Sequence, residues 1–317
     1  GGAGYIGAHV TEILLKKNRN VFLIDNLSTG HRKLINSKAK FFKIDIKNKQ
    51  KVKKVIEKYK IDSIIHLAAN LIIGEGQRKP NKYYKNNVLG TKKLLDACKD
   101  TTIKNFIFSS TAAIYKEGQY KVSENSIIKP KSIYGQTKIK AEKIIKSFAK
   151  KNKINYGILR YFNIAGASLS GKIGLINKKS DHLFKNFSIE LMKKNPKLKI
   201  YGTDYKTKDG SCIRDFIHVS DIAEIHYLIL EKIDKLNISK ILNCGYNKGT
   251  SVIEVAKEFK KQSSKKVEII FSKRRNNDLI KIIASNNKLK NFIKWKPKFN
   301  NLRKIVKSCI IWEKKLN

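Results

Sequence analysis

Cysteine is scarce in this chain, and the four present, Cys98, Cys212, Cys244 and Cys309, stand far apart with no Cys-x-x-Cys pair and no histidines at ligand spacing. A disulfide framework and a zinc site are thereby excluded as organising features, and no metal is expected. Long apolar runs are also missing. Nothing approaches the roughly 18 to 20 residues that cross a bilayer, so no membrane partner is expected. The first residues lack the basic, apolar and small-residue series of a secretory signal, which points to the cytoplasm. Acidic residues are few, 25 against 69 lysines and arginines, for a formal charge of +44. So positive a balance raises nucleic acid as a partner. Yet the chain has no arginine-rich block, no aromatic stacking platform and no zinc-finger spacing, and its excess is lysine spread through every helical stretch. No nucleic-acid role is expected; a basic surface instead helps to attract an anionic small substrate.

What is present is alternation. Short β-branched runs at residues 21–25, 40–44, 63–67, 105–109 and 156–160 alternate with helical stretches near 6–17, 50–59, 83–99 and 134–150. Strands separated by helices predict a parallel sheet with crossover helices, an α/β fold of the doubly wound Rossmann type. Beyond about residue 163 the pattern loosens into a Gly/Ser/Lys/Asn stretch and ends in a helical tail near 301–315. The 317 residues therefore divide into a dinucleotide-binding domain, 1–163 with a return segment near 213–245, and a smaller C-terminal substrate lobe, 164–317.

The chain opens GGAGYIG, with Gly1, Gly4 and Gly7 directly before a helical stretch. Glycines there permit a tight turn, let the backbone approach a pyrophosphate and set its charge on a helix N-terminus. Asp25 closes the next strand, about 20 residues on, where a carboxylate accepts from ribose hydroxyls and repels a 2′-phosphate. NAD is favoured over NADP. Asp45, at the end of the following strand, either holds the adenine edge or simply caps the strand.

Tyr134 and Lys138 form a Tyr-x-x-x-Lys pair at the start of a helix, on one face because they are four apart. A tyrosine hydroxyl titrates near 10, so a base working near pH 7 needs a depression of roughly three units. Lys138, the helix N-terminus and a positive nicotinamide ring are the expected sources. Thr111, after the strand ending Ser109-Ser110, is placed to hydrogen-bond the reacting oxygen; capping the strand end is its bland alternative.

The strings HLAA, KYYKNNVLGT, FIFSSTAAIY, SIYGQTK, LRYFNIAGA, KIYGTDYKTKDGSCIRDFIHVSDIA, LNCG and RRNND, running nearly end to end, resemble the extended short-chain dehydrogenase/reductase family in its sugar-nucleotide 4-epimerase branch. The resemblance implies that Tyr134 takes the proton of a sugar 4-hydroxyl while hydride passes to NAD, and that hydride returns to the other face of the 4-keto sugar. It implies a UDP-hexose as substrate. It also implies that Tyr5, Ile6, Asn26, Ile46, Ala68, Asn86 and Tyr161 join Asp25, Asp45 and Lys138 around NAD, while Asn163, Tyr201, Arg214, Arg275 and Asp278 hold UDP. Ile282 stands where a bulky family Tyr closes the sugar pocket, which implies room for an N-acetyl group. Related 4,6-dehydratases carry an acidic pair where this chain has Ala112 and Ala113, which disfavours dehydration. A homodimer is implied through the helices at 83–99 and 134–150. Alternatives are another sugar-nucleotide epimerase or a non-catalytic NAD-sensing protein. The chain departs from the family at Leu71, at Lys116 and in RRNND. It starts at Gly1, without the apolar strand that precedes the glycine loop in the family. With that first strand missing, a slot between the strands at 21–25 and 63–67, or their direct pairing, is expected, together with weak NAD retention.

Overall fold

The computed structural model describes residues 1–177, 181–275 and 278–316. It divides into two compact units. The first comprises residues 1–115, 127–161 and 223–242, and the second residues 116–126, 162–222 and 243 onward.

Elements α1 (Tyr5–Lys16), β1 (Phe22–Asp25), β2 (Lys40–Lys43), α2 (Lys49–Lys58) and β3 (Ser63–His66) open the first unit, followed by the short helices α3 (Ile73–Arg78) and α4 (Pro80–Tyr83). The expected helix at 83–99 is interrupted: Tyr84–Leu89 is a π-turn, and α5 covers only Gly90–Cys98. A π-turn accommodates one extra residue per turn and turns a side chain out of register. Here that side chain is Asn87, which is 2% exposed. It accepts from Asn70 N (2.8 Å) and donates to Asn70 O (2.9 Å) and to Thr137 Oγ1 (3.1 Å). Next come β4 (Asn105–Thr111), the two-residue β5 (Lys121–Val122) of the second unit, α6 (Ile133–Asn152) and β6 (Asn155–Tyr161).

Strand β3 pairs with β4 and β4 with β6, all in parallel, and β1 pairs in parallel with β2. β4 is buried along its whole length, as a near-continuous apolar run in a sheet covered on both faces should be. One face packs Phe106, Phe108 and Ile158 against Val52 and Ile56 of α2, Leu94 and Leu95 of α5, and Ala141 and Ile145 of α6. The other packs Ile65 and Leu67 against Val10 and Leu14 of α1 and against Ala223 and Tyr227. Helices thus cover both faces, the doubly wound arrangement.

β1 and β3 do not pair with each other; each ends a separate sheet. Gly1 sits at the C-terminal ends of both. Its nitrogen donates to Ile24 O at 2.7 Å, and a Cβ on it would come within 2.5 Å of Ala68 N. Of the two outcomes expected for these strands, direct pairing is the one that does not form.

In the second unit β7 (Asn163–Ala165) pairs with β10 (Phe216–His218), and β8 (Lys197–Tyr201) with β13 (Glu268–Ser272). A third sheet runs β12 (Thr250–Ser251), β9 (Ile213–Arg214), β14 (Lys281–Ala284), β5. Helices α7 (Leu183–Met192), α9 (Val252–Gln262) and α11 (Leu302–Leu316) enclose a core in which Phe184 and Phe187 meet Phe259 edge to face. The buried pair Lys185–Glu313, at 2.7 Å, ties α7 to α11. Helix α8 (Val219–Leu236) and strand β11 (Lys240–Cys244) belong partly to each unit. All four cysteines are free and buried.

Candidate active site

The first unit carries the glycine loop. Its last residue, Gly4, caps α1 without a side chain, and the first turn of α1 holds no acidic residue. The positive end of the helix is therefore left for an anion. Gly7 is required by close approach, because a Cβ there would come within 2.4 Å of Gly1 O. A bare turn at an uncapped helix end fits a dinucleotide pyrophosphate. Asp25, 7% exposed, stands beside the loop: Oδ2 accepts from Ala3 N at 3.1 Å and Oδ1 from Leu27 N at 2.7 Å. Each oxygen keeps accepting capacity for a hydroxyl donor.

Asn26 and Asp45 come together through Asn26 Nδ2 and Asp45 Oδ2 at 3.0 Å. Asp45 also accepts from Lys47 N at 2.8 Å, so the strand-end cap read from the sequence is present as well. Burial pushes its carboxyl up, but the Lys47 and Asn26 hydrogen bonds and the Lys47 ammonium outweigh this and hold it below the ordinary value. Ile46 is buried and Ala68 abuts Gly1. In the first turn of α1, Tyr5 lies edge-on to His9 and Ile6 joins the core beneath the loop. Two of the expected cofactor residues also have protein partners. Asn86 Nδ2 turns to Asn87 Oδ1 (3.3 Å), and the buried Tyr161 hydroxyl meets His226 Nε2 at 2.5 Å.

Helix α6 starts at Ser132, whose side chain accepts from Gly135 N, and this cap places Tyr134 in the first turn. A Cβ on Gly135 would lie 2.5 Å from Ala113 O, so only glycine lets the helix come this close to the end of β4. The Thr111 side chain lies close enough to the Tyr134 hydroxyl to favour its ionised form, and its Oγ1 accepts from Ala113 N at 3.1 Å. Lys138 is 2% exposed, with Nζ 4.5 Å from the Phe108 ring centre and 6.0 Å from that of Tyr134. The depression expected for Tyr134 is not present in the protein alone. Burial pushes its hydroxyl up to about 12, with Thr111 pulling the other way. Burial likewise drives the Lys138 ammonium down to about 7, partly offset by Glu142. Both shifts have one cause: a dry pocket penalises every charge until charges are brought in together.

The second unit gathers four of the five expected UDP residues into two pairs. Arg214, on β9, donates to Asp278 Oδ1 and, through Nη1, to Ile213 O at 2.9 Å. Arg275 stacks on Tyr201, 4.2 Å from the ring centre. Asn163, on β7, is exposed, and its backbone nitrogen donates to Asp215 O. Ile282 is the β14 residue paired with Arg214 across the ladder, and is 7% exposed. Asn276 and Asn277 of the RRNND string lie outside the described residues.

Several functional candidates escaped the sequence reading. In the second unit, Arg274 stacks on Tyr205 (4.0 Å) and pairs with Asp204. In the first, Asn87 and Thr137 tie the π-turn to α6. Glu142 and Arg160 form a buried pair behind Lys138, and a signal for both existed. Glu142 continues the four-residue spacing of Tyr134 and Lys138, and a lone arginine in the apolar strand LRYF demands a buried partner.

A glycine turn at a bare helix end, a carboxylate at the close of the next strand and a Tyr/Lys pair under a threonine hydroxyl define a dinucleotide-dependent enzyme acting at a carbon that bears a hydroxyl. Residues 1–245 match the model of the NAD dependent epimerase/dehydratase family, and the chain belongs to that family. A UDP-glucose 4-epimerase of Lactobacillus helveticus is 38% identical over 99% of this chain and 96% of its own. Among solved structures, UDP-glucose 4-epimerase from Brucella ovis in complex with NAD superposes with a TM-score of 0.93 at 33% identity, covering 98% of this chain and 95% of that one. The UDP-Glc/GlcNAc 4-epimerase of Campylobacter jejuni gives 0.86 at 40% identity, covering 99% and 98%.

Proposed function

We propose that the protein is an NAD-dependent isomerase that inverts carbon 4 of a UDP-hexose, interconverting UDP-galactose and UDP-glucose. The observation that carries this is the Tyr134–Thr111 hydroxyl pair beside buried Lys138, set in a family whose relatives of near-equal length bear that activity. NAD, when bound, supplies a positive nicotinamide that takes up and returns the hydride. Tyr134 takes the proton of the 4-hydroxyl and gives it back after the sugar has turned. Thr111 holds the reacting oxygen. Lys138, as a cation, and the N-terminal turn of α6 favour the tyrosinate that this step needs. Gly1, Gly4, Gly7, Tyr5 and Ile6 hold the pyrophosphate side of NAD, Asp25 its ribose, and Asn26, Asp45, Ile46, Ala68, Asn86 and Tyr161 its remaining contacts. Arg214 and Arg275 hold the diphosphate of UDP through bidentate donors, with Asp278 orienting Arg214 and with Asn163 and Tyr201 beside them.

The test is turnover of UDP-galactose by the purified holoenzyme. Tyr134→Phe should keep bound NAD and lower kcat by a factor of about 100 or more; an unchanged kcat sinks the assignment. The same assay with UDP-N-acetylglucosamine reads substrate breadth. Ile282 is smaller than tyrosine, so N-acetylated substrate should also turn over, and wild type and Ile282→Cys both failing on it while UDP-glucose is active would refute the role of this position.

A cytoplasmic place is proposed as well, in keeping with four free thiols. So is a homodimer: Tyr84 and Leu89, in the stretch read as a dimer helix, are each 41% exposed, and Ile73 is 49% exposed nearby in sequence. Light scattering should give twice the 36.3 kDa chain mass, and a monomer at micromolar concentration would exclude it.

A further inference from the structure

Behind the Tyr/Lys pair, in the first unit, lies a buried ionic cluster to which the mechanism gives no part. Glu142 is 0% exposed, Ser110 1% and Arg160 3%. Glu142 Oε1 accepts from Ser110 Oγ at 2.5 Å and from Arg160 Nε at 3.1 Å, and Oε2 accepts from Arg160 Nη2 at 2.8 Å. Arg160 Nη1 donates in turn to the Tyr115 hydroxyl at 3.1 Å. Ser110 and Arg160 are direct partners across the β4–β6 ladder, so the two strands present a preformed fork to a single helix residue. Tyr134, Lys138 and Glu142 are successive members of one four-residue stripe on α6, with Tyr134 half-buried and Lys138 and Glu142 buried.

A buried ion pair is a poor way to gain stability, since apolar residues of like volume usually do as well or better. This one places a carboxylate one helical turn from a buried ammonium. The groups facing Lys138 are Tyr134 and Glu142 on α6, Phe108 on β4, and His66 on β3. His66, hydrogen-bonded to Thr91, is held uncharged by burial and by Lys138 itself. Glu142 is the single negative charge among these groups. We propose that Glu142, gripped by Arg160 and Ser110, is a positioning residue for the reaction that keeps Lys138 a cation at its place beside Tyr134. The inference rests on the Tyr134–Lys138 reading above. It fits the opposing effects on Lys138, where burial removes the charge and Glu142 restores it.

The experiment is Glu142→Gln in the NAD-loaded enzyme. Glutamine keeps an acceptor for Ser110 and Arg160 but removes the charge. A cation needed for activity is present below its pKa and lost as pH rises through it, so the alkaline limb of kcat against pH should move to lower pH. A unit charge one turn away predicts a move of about one to two pH units, with KM for UDP-galactose within about twofold. Glu142→Asp should recover part of it. A second readout needs no turnover: the tyrosinate absorbance of Tyr134, taken as the difference from Tyr134→Phe, should titrate at higher pH in Glu142→Gln than in wild type. If that variant does not fold, Glu142→Leu with Arg160→Met removes both charges and should fold, with shifts in the same directions. A folded variant whose alkaline limb and Tyr134 titration both match wild type overturns the proposal. Wild type that fails on UDP-galactose overturns the functional reading instead and leaves the titration to judge this one.

Discussion

Asp25 has two roles that a single substitution would confuse. Its oxygens fix Ala3 N and Leu27 N, and the same oxygens are proposed to accept from the ribose hydroxyls. Asp25→Ala leaves Ala3 N unpaired in a buried position, at a cost of about 1–3 kcal/mol. Asp25→Asn keeps an acceptor oxygen but loses the charge. Asn should therefore hold the melting temperature nearer to wild type than Ala does, while both relax the preference for NAD over NADP; NAD titrations of the two variants separate the effects. An Asn variant that still rejects NADP would remove the charge argument. At this scale much was legible: the loop glycines, Asp25, Tyr134, Lys138 and Thr111 each sit where spacing placed them. The direction of the Tyr134 shift was not, because burial is a property of the pocket walls and no local spacing reports it. Nor was the use of Tyr161, whose hydroxyl meets a histidine 65 residues away.

At the level of elements, the strands and helices of the first unit fall within one or two residues of their predicted bounds, since parallel strands covered on both faces leave continuous apolar runs. Helices α3, α4 and α8 were not read from the sequence, and the stretch read as one helix at 83–99 is broken by the π-turn at Tyr84–Leu89, for which periodicity near 3.6 gives no warning. Asn87 is the price of that turn and also its use, joining the Asn70 loop to Thr137 on α6. Asn87→Leu strands the buried groups it satisfied, and unfolding by urea should show a loss of about 2–4 kcal/mol. Because Thr137 lies between Tyr134 and Lys138, kcat should fall more than KM rises. A fully stable Asn87→Leu protein with normal kcat would show that the turn plays no part in setting the helix.

For the molecule as a whole, the sequence reading had two regions and a return segment near 213–245, within which residues 223–242 fall in the first unit, but no signal marked residues 116–126 as part of the second. The burial of all four thiols offers a way to follow those units separately. Cys98 lies in the first unit, and Cys212, Cys244 and Cys309 in the second. Burial raises every one of them, Cys98 and Cys309 up to about 12, so the folded chain presents no thiolate to an aqueous reagent at neutral pH. Labelling then becomes a clock for transient opening, and mass spectrometry tells which unit opened. NAD should slow modification of Cys98 selectively. A uridine nucleotide should slow that of Cys212, whose sulfur lies 3.9 Å from Asp278 Oδ2. Equal protection of all four by either ligand would mean that the two units open as one. Since the native background is silent, a cysteine introduced at any exposed lysine would be the sole rapidly reacting site, and this densely cationic protein could carry one dye at a chosen point without removal of a native residue.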